Sequence, residues 1–377
     1  MANIQKRPNG KWRARYRDDA GKEHARHFDR KTDAQRWLDE VTASVLTGQY
    51  VDPRAGRITF RSYAEQWRQA KPHRPSTAAG VELALRVHAY PVIGDRPLAQ
   101  IRRGDMQQLV TGLSKPREDF KPLQPSTVRT VYNAIRAVFT AAVHDRLIAV
   151  SPCEGVDLPE VSRRRVEPLT VDQVRALADE MPARYRALIV TAAGTGLRPG
   201  ELLGLQVRHV DFFKRQLRVE QQVQQTKAGG TRVCPPKTKE SERVVPLPDM
   251  VVHALVAHLK AFPAGPDDFV FRGPEGGAIV YTRFMDGSFR PARKRLGLKA
   301  SGLHALRHTY ASLLIAAGES VKVVSERLGH ANAAMTLNVY SHLFPDSEDR
   351  TRKAIDGAFS EGGDGTRADS GRTAGTR

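Results

Sequence analysis

Apolar positions recur at helical spacing between Thr59 and about Ala149, which is typical of helices that bury one face. This spacing predicts four helices, near residues 60–71, 76–89, 104–114 and 126–147. Ser76 and Ser126 each follow a proline, and we expect them to cap the second and the fourth helix. The stretch predicts a helical domain, although periodicity alone does not say what such a domain binds.

The first fifty residues carry a different pattern. Bulky and basic residues alternate from Trp12 to Arg17, which predicts a strand that carries three arginines, Arg13, Arg15 and Arg17. A turn at residues 18–21 leads to a second predicted strand at His24–Phe28, and a helix is expected from Thr32. Two interpretations of the arginines stay open: a solvated charged sheet, or a sheet that contacts DNA phosphates and base edges.

The pattern changes again after Ser151-Pro152, where the helical stretch ends. Residues 156–167 contain a proline and the triplet Arg163-Arg164-Arg165, and we interpret them as an extended basic linker. Thr170, with Gln173 three residues later, has the spacing of a capping box. A C-terminal domain is therefore expected to begin near this helix.

Helical and strand-like patterns are mixed in the C-terminal region. We expect an apolar helix ending at Ala193, a short helix after Pro199, strands between about Val207 and Leu247, and further helices to about Ala358. The tail, residues 359–377, has almost nothing to bury and is predicted to be disordered.

Charge narrows the choice of partner. Lysine and arginine outnumber the acids 60 to 41, which gives a net charge of +19 and a pI near 10.2. A balance this basic favours a polyanionic partner, because neutralised phosphates release their condensed counterions. It does not separate DNA from RNA, the ribosome or a membrane surface.

Several other classes of protein are disfavoured. No run approaches the ~18 apolar residues of a membrane helix, and no apolar core follows the basic start of the chain. A cytoplasmic protein is therefore expected. The two cysteines, Cys153 and Cys234, lie far apart, which argues against a disulfide framework or a cysteine-based zinc site.

Four short motifs in the C-terminal half carry candidate chemistry, and the first is TGLRPGEL at 195–202. Its glycines permit a tight turn and Pro199 suits the first turn of a helix, which predicts Arg198 at a helix N-terminus facing an anion. Glu201, one turn further on, is expected to orient Arg198. On its own the motif also fits an ordinary surface Arg–Glu pair, and it lacks the spacing of a P-loop.

The second motif is PKTKESERVVPL at 236–247, which we interpret as a strand, a charged turn and a second strand. A lysine in this segment, Lys237 or Lys239, would reach into a site and protonate a leaving oxygen. Without other support, an exposed hairpin with solvated charges is the more common explanation of such a string.

The third motif is LHALRHTY at 303–310. His304 and Arg307 are three residues apart, so on a helix they share a face and can meet the same phosphate. His304 and His308 have the spacing of a zinc-binding helix, but the zincin pattern requires glutamate at the position of Ala305. We therefore favour phosphate binding over metal binding.

The fourth motif joins Leu328-Gly329-His330 to a segment that contains Tyr340. Gly329 is predicted to end a helix, with His330 projecting from the turn and Tyr340 following ten residues later on another short helix. A single tyrosine is most often a packed core residue, so its meaning depends on the other motifs.

Together the motifs supply one tyrosine, two arginines, two histidines and a lysine, without a carboxylate cluster for a catalytic metal. This set fits phosphoryl transfer in which cationic side chains take over the charge stabilisation usually supplied by magnesium. We therefore expect neither a metal nor another cofactor.

The order Arg…Lys…HxxR…LGH…Tyr, including TGLRPGEL, LHALRHTYASLL and LGHANAAMTLNVYSH, closely resembles the tyrosine recombinase (phage integrase) family over roughly residues 165–345. The resemblance implies a multidomain, mainly α fold with small β-sheets. Its expected parts are an arm-type DNA-binding domain of three strands and a helix at 1–50, a helical, SAM-like core-binding domain at 57–155, and a mixed α+β catalytic domain at 165–355.

The resemblance also implies roles for the basic residues. Arg198 and Arg307 would hold the nonbridging oxygens of the scissile phosphate, and Glu201 would support Arg198. Lys237 would protonate the departing 5′ hydroxyl, with Lys239 as the alternative.

By the same resemblance Tyr340 would be the nucleophile that forms a 3′-phosphotyrosine, assisted by His304 and His330 in proton transfer and phosphate binding. A phenol with an ordinary pKa near ~10 is a poor nucleophile at neutral pH. We expect neighbouring cations to favour the phenolate.

The implied function is a site-specific DNA recombinase that integrates or excises a mobile element without metal or ATP. A type IB topoisomerase and a chromosome-dimer resolvase use the same chemistry, but the basic N-terminal module argues against both. A non-catalytic DNA-binding protein is disfavoured by the complete catalytic set. The implied partners are double-stranded attachment-site DNA and, on DNA, a homotetramer. An excisionase and a DNA-bending host factor are candidate accessory partners, and no membrane partner is expected.

Overall fold

A computed structural model describes residues 3–17, 21–46, 55–116, 121–162, 166–226, 228–236, 238–299, 302–344 and 348–360. The chain divides into two compact units, Met1–Arg163 and Arg164–Arg377, each with buried cores of its own. Helices predominate and are joined by small antiparallel sheets, which confirms the predicted fold class. In the described part of the chain, none of the helices has the length and apolar character needed to cross a bilayer.

Several predicted segments lie outside the described residues. These are the turn at 18–20, the triplet Arg163-Arg164-Arg165, and the tail from 361 onward. The division between the two units falls inside the predicted linker 156–167. The boundaries of the three predicted domains stay predictions.

The N-terminal residues form a three-stranded antiparallel sheet and one helix, as the resemblance implied. The elements are β1 (Asn3–Lys6), β2 (Trp12–Arg17), β3 (Glu23–Phe28) and α1 (Lys31–Leu46). Ala14 and Tyr16 of β2 are buried together with Ala34 and Leu38 of α1. Because successive strand residues point to opposite faces, the arginines of β2 lie on the face turned away from α1.

The helical part of the first unit follows the predicted pattern, with one difference in the extent of a helix and another in the capping residues. Its helices are α2 (Phe60–Ala70), α3 (Pro75–Ala84), α4 (Tyr90–Ile93), α5 (Arg103–Leu113) and α6 (Pro125–His144). A π turn, Leu85–Ala89, joins α3 directly to α4, so the second predicted helix continues to Ile93. The buried ring of Phe60 packs against Phe139, with 5.1 Å between centroids, and joins α2 to α6.

The predicted caps Ser76 and Ser126 are wrong. Pro75 and Pro125 are themselves the first residues of their helices, and the N-cap positions belong to Arg74 and Gln124. Proline is well suited to the first helical position, because its fixed φ matches the helix and its missing N–H would have had no helical partner.

The second unit contains the remaining elements. They are α7 (Val171–Asp179), α8 (Ala183–Thr195), α9 (Pro199–Leu203), β4 (Val210–Asp211), β5 (Gln216–Val219), β6 (Gln222–Gln225), β7 (Thr231–Cys234), β8 (Arg243–Pro246), α10 (Asp249–Ala261), α11 (Tyr281–Phe284), α12 (Arg290–Arg295), α13 (His304–Ala316), α14 (Val321–Leu328), α15 (Ala333–Tyr340) and α16 (Glu348–Ser360). The capping box that starts α7 is present, with Gln173 N–H donating to Thr170 Oγ1 at 3.2 Å.

The predicted hairpin at 236–247 is wrong in its pairing. β7 pairs with β6, whereas β8 pairs with β5 in a separate sheet of order β4-β5-β8. Val245 of β8 lies opposite Leu217 of β5, and both side chains are fully buried. Burial of these two apolar side chains stabilises the pairing of β8 with β5 over a local hairpin. The residues between β7 and β8, which include Lys237 and Lys239, therefore connect two sheets.

Candidate active site

Arg198 stands at the N-cap of α9, as the first motif predicted, with Pro199 as the first helical residue. The chain reaches it through Gly196, which ends α8 in the left-handed conformation at φ +62°. A Cβ at Gly196 would lie 2.3 Å from Cδ1 of Tyr310, so only glycine fits here. This tight turn fixes where the Arg198 side chain begins.

Glu201 holds Arg198 and a second arginine, Arg243 at the start of β8. Arg198 Nη1 donates to Glu201 Oε1 at 2.7 Å, and Arg243 Nη2 donates to Glu201 Oε2 at 2.9 Å. The predicted orientation of Arg198 by Glu201 is present. Burial alone would raise the pKa of the Glu201 carboxyl, but Arg243 and Arg198 hold this pKa below its ordinary value. The carboxylate is therefore charged and fixes both guanidinium groups.

The C-terminal end of α14 brings three arginines together. Arg243 Nε donates to the carbonyl of Arg327 at 2.8 Å, Arg307 Nη2 to that of Leu328 at 2.7 Å, and Arg198 Nη2 to that of Gly329 at 2.6 Å. These carbonyls lie at the end of a helix, where they carry partial negative charge and lack helical partners. Three elements that are distant in sequence are thereby fixed around one helix end.

Arg307 is almost completely buried, with 4% of its surface exposed. Its Nη1 also donates to the carbonyl of Gly196 at 2.7 Å. Burial, followed by the charge of nearby Arg198, lowers the pKa of Arg307 to about 9, so the side chain still carries its charge at neutral pH. These two hydrogen bonds occupy two of the five N–H donors of the guanidinium, which leaves donors for an anion.

The two predicted histidines, His304 and His330, both lie close to Arg198 and Arg307. His304 is the exposed first residue of α13. His330 follows Gly329, which ends α14 at φ +62° as predicted, and its Nδ1 lies 2.8 Å from Thr336 Oγ1. Burial and then the Arg307 charge lower the pKa of His330 to about 4, so this imidazole is neutral at physiological pH.

Tyr340 is the last residue of α15, as predicted, and only 1% of its surface is exposed. Its hydroxyl lies 2.7 Å from Nδ1 of His308. Burial raises the pKa of Tyr340 to about 12, and Arg307 opposes this with a smaller effect. In the protein without DNA the cations therefore do not produce the phenolate that the sequence led us to expect.

Of the two lysines predicted as the general acid, Lys237 lies outside the described residues, and so does the side chain of Lys239. Thr238, the residue between them, is anchored at the site. Thr238 Oγ1 lies 3.2 Å from Ser241 Oγ, which in turn accepts a hydrogen bond from Arg198 Nη1 at 3.2 Å. The choice between the two lysines stays a prediction.

Two contributors were missed by sequence reasoning, Arg243 and His308. Arg243 lies within the second motif, beyond the two candidate lysines, and its contact with the buried Glu201 depends on the packing of β8 beside α9. His308 was considered only as a zinc ligand. Its place one turn after His304 on the same helix was the available signal, but only the packing of α15 brings Tyr340 to it.

Comparison with known proteins identifies the family of the chain. Residues 167–346 match the model of the phage integrase family, and residues 2–47 match that of the phage integrase N-terminal domain. The chain belongs to the phage integrase family of tyrosine recombinases. Members of this family are site-specific DNA recombinases.

Among curated proteins, the chain is 30% identical to a tyrosine recombinase XerC-like protein of Caldanaerobacter subterraneus, over 62% of this chain and 66% of that protein. It is 26% identical to the putative prophage phiRv2 integrase of Mycobacterium tuberculosis, over 91% of each chain. Among solved structures, the Tn1549 transposon integrase in complex with a circular intermediate DNA covers 80% of this chain and 99% of that one, with a TM-score of 0.68 at 23% identity. The last similarity shows the fold alone.

Proposed function

We propose that this protein is an integrase of a mobile genetic element that cuts and rejoins attachment-site DNA through a 3′-phosphotyrosine at Tyr340. The observation that carries the proposal is the convergence of Arg198, Arg307 and His330 on the C-terminal end of α14, with Arg307 close to the buried Tyr340. A cluster of cations around a buried nucleophile supplies what a phosphoryl-transfer transition state needs.

Arg198 and Arg307 take the nonbridging oxygens of the scissile phosphate. Both are fixed by hydrogen bonds to backbone carbonyls and both retain free N–H donors, so no reorganisation is needed when charge builds up on the phosphate. Glu201 keeps Arg198 in place, and the same role extends to Arg243 through its bond to the same carboxylate.

Lys237 donates the proton to the departing 5′ oxygen, with Lys239 as the alternative, and His304 and His330 bind the phosphate and assist proton transfer. The neutral state of His330 allows it to donate one hydrogen bond without adding charge. Because Tyr340 is buried, DNA binding has to open a path between its hydroxyl and the phosphorus.

The sheet of the first fifty residues supplies a second DNA contact through Arg13, Arg15 and Arg17. They lie on the sheet face that α1 leaves uncovered, and the net charge of +19 favours DNA. The DNA-bound transposon integrase that this chain resembles supports duplex DNA as the partner. The protein would act in the compartment that holds this DNA, the cytoplasm.

Recombination between two duplexes cuts four strands, so a homotetramer on DNA is the working assembly. Ile355 and Phe359 of α16 are exposed apolar side chains one helical turn apart, suited to docking on a neighbouring protomer. Truncation after Phe344 should then abolish strand exchange but leave binding to one half-site intact. Unchanged recombination by the truncated protein would reject this role for α16.

A nicked suicide substrate that carries the attachment site tests the chemistry. The wild-type protein should form a covalent complex through a 3′-phosphotyrosine in the presence of a metal chelator. Tyr340→Phe should bind the same DNA but trap nothing, because its ring keeps the packing and lacks the nucleophile. Covalent trapping by Tyr340→Phe would refute the assignment. Recombinant products from two duplexes, as opposed to relaxation of one, separate an integrase from a topoisomerase.

A further inference from the structure

His308 contacts the reacting atom of the proposed nucleophile, yet none of the roles above includes it. Its Nδ1 lies 2.7 Å from the Tyr340 hydroxyl, and the two rings meet edge to face with 5.6 Å between their centroids. The two residues come from α13 and α15, so the contact is made by tertiary packing.

A buried tyrosine needs a partner for its hydroxyl, but the choice of partner here is distinctive. Tyr63 and Tyr90 donate to the carboxylates of Asp145 and Glu65, and Tyr132 donates to a backbone carbonyl. Such partners hold a phenol in its neutral form. Tyr340 instead meets an imidazole, the side chain most often used as a general base near neutral pH.

The surroundings of His308 keep its imidazole neutral. His304 and Arg307 lie on its own helix, Tyr340 lies on α15, and His330 faces it from the turn after α14. Burial first, then His304 and Arg307, lower the pKa of His308 to about 4, so the ring is neutral at physiological pH. In the tautomer protonated at Nε2, Nδ1 is free to accept the phenolic proton.

We propose that His308 is the general base for Tyr340, accepting its proton during cleavage and returning it during resealing. This inference rests on the proposed role of Tyr340 as nucleophile. In cleavage, Tyr340 Oη bonds to phosphorus, the bond from phosphorus to the 5′ oxygen breaks, and the phenolic proton moves to His308 Nδ1. The 5′ oxygen takes its own proton from the general acid.

Resealing reverses each of these steps. The 5′ hydroxyl attacks phosphorus and gives its proton back to the general acid, while the departing Tyr340 oxygen recovers its proton from His308. The imidazolium formed in between is disfavoured by burial and by the nearby cations. The arriving phosphate opposes this penalty with its negative charge, so the base becomes effective only when substrate is bound.

His304 is less suited to this role. It lies one turn earlier on α13 and is exposed, and no hydrogen bond joins it to Tyr340 among the described residues. In the proposed site it serves the phosphate, which leaves the phenol to His308.

The test measures single-turnover formation of the covalent complex on a nicked attachment-site duplex. Two forms of the substrate are compared, one with the natural 5′ oxygen and one with a bridging 5′ sulfur, which leaves without a general acid. Lys237→Ala should be slow on the oxygen substrate and recover on the sulfur substrate. His308→Ala should be slower than wild type by about 10²–10⁴-fold on both substrates, because its missing proton transfer lies on the tyrosine side.

His308→Asn separates proton acceptance from positioning. Its amide oxygen can accept the Tyr340 hydrogen bond near the position of Nδ1, but it cannot hold the proton, so cleavage should stay slow while DNA binding remains normal. His253→Asn, a substitution of an exposed histidine on α10, is the matched control and should cleave like wild type.

The pH profile on the sulfur substrate provides a second readout. Between pH 8 and 5 the wild-type rate should depend on pH less steeply than that of His308→Ala, because an imidazole with a lowered pKa is neutral and able to accept the proton over much of this range. His308→Ala should gain about tenfold per pH unit, because hydroxide must then remove the proton. A wild-type rate and profile in His308→Ala, or full activity in His308→Asn, would overturn the proposal. Absence of any covalent complex in the wild type would instead reject the proposed function itself.

Discussion

Two groups of the same composition, two arginines on one glutamate, occur in different surroundings. In the N-terminal sheet, Arg13 and Arg15 pair with Glu23 at 3.2 and 3.5 Å, and 34% of the Glu23 side chain is exposed. In the proposed active site, Arg198 and Arg243 pair with Glu201 at 2.7 and 2.9 Å, and 3% of the Glu201 side chain is exposed. Burial is the main difference between the two groups.

This difference decides what each group can do. Solvent-exposed ion pairs contribute about 0–1 kcal/mol and dissociate readily, so the sheet arginines are available to a phosphate. A buried pair has already lost its hydration, and removal of one partner leaves an uncompensated charge. The arginines around Glu201 are therefore held in one position, and we call this buried group the template. The arginines around Glu23 can leave the glutamate and bind a phosphate instead.

Removal of Arg243 should produce the largest effect. Arg243→Ala leaves the Glu201 carboxylate with Arg198 alone and frees the carbonyl of Arg327, so we expect the free energy of unfolding to fall by about 3–5 kcal/mol. Chemical denaturation measures this change. Arg218→Ala on β5, which breaks an exposed pair with Glu220, is the control and should change stability by less than about 1 kcal/mol. Equal losses of stability in Arg243→Ala and Arg218→Ala would contradict the difference drawn between buried and exposed ion pairs.

Gly329→Ala should produce the next largest effect, because it disturbs the template from the side of α14. The left-handed backbone alone penalises a side chain by about 1–2 kcal/mol. The new Cβ would also lie 2.9 Å from Arg243 Nη1, which three hydrogen bonds of Arg243 hold in place.

The matched control for this substitution is Gly318→Ala. Gly318 has φ +86° and open space around the position of a Cβ, so it carries the backbone penalty without the contact. The denaturation midpoint should fall in both variants, but covalent-complex formation should be impaired only by Gly329→Ala. Normal cleavage in Gly329→Ala would show that the position of Arg243 is not critical.

Acid should weaken the catalytic region before it affects the sheet. The pKa values of His308 and His330 are lowered to about 4 in the folded protein, below the value near ~6.5 of an unfolded histidine. The unfolded chain therefore binds protons first, so stability is complete above about pH 6.5 and declines as the pH falls toward 4. Thermal unfolding between pH 7.5 and 4.5 should show this decline, and His330→Asn should flatten it. An unchanged slope in His330→Asn would remove this histidine from the explanation.

The local geometry of the site was predictable because it follows from short-range rules. Pro199 and Gly196 determine where Arg198 stands, and Gly329 determines where α14 ends. Spacing on a single helix put His304 and Arg307 together. Each of these inferences needs only a few consecutive residues.

Long-range pairing was not predictable in the same way. The partner of β8 is β5, separated from it in sequence by the β6–β7 hairpin, so the local pattern of residues 236–247 does not identify it. The contact of His308 with Tyr340 and the hydrogen bond from Arg243 to the end of α14 also join elements that are distant in sequence. The sequence therefore predicted Arg198, Glu201 and Tyr340 as site residues. It did not predict their partners Arg243 and His308.

The exposed group should give the smallest change in stability and the clearest change in binding. Arg13→Ala and Arg15→Ala should alter the free energy of unfolding by less than about 1 kcal/mol. Each should reduce the salt dependence of binding to duplex DNA by about one counterion, as expected for one lost phosphate contact. Glu23→Gln should strengthen binding at low salt, because it releases both arginines and removes a negative charge from the same face. Glu201→Gln, the equivalent change in the buried group, should instead weaken both stability and cleavage. If Glu23→Gln also destabilised the fold by several kcal/mol, burial would not explain the difference between the Glu23 group and the Glu201 group.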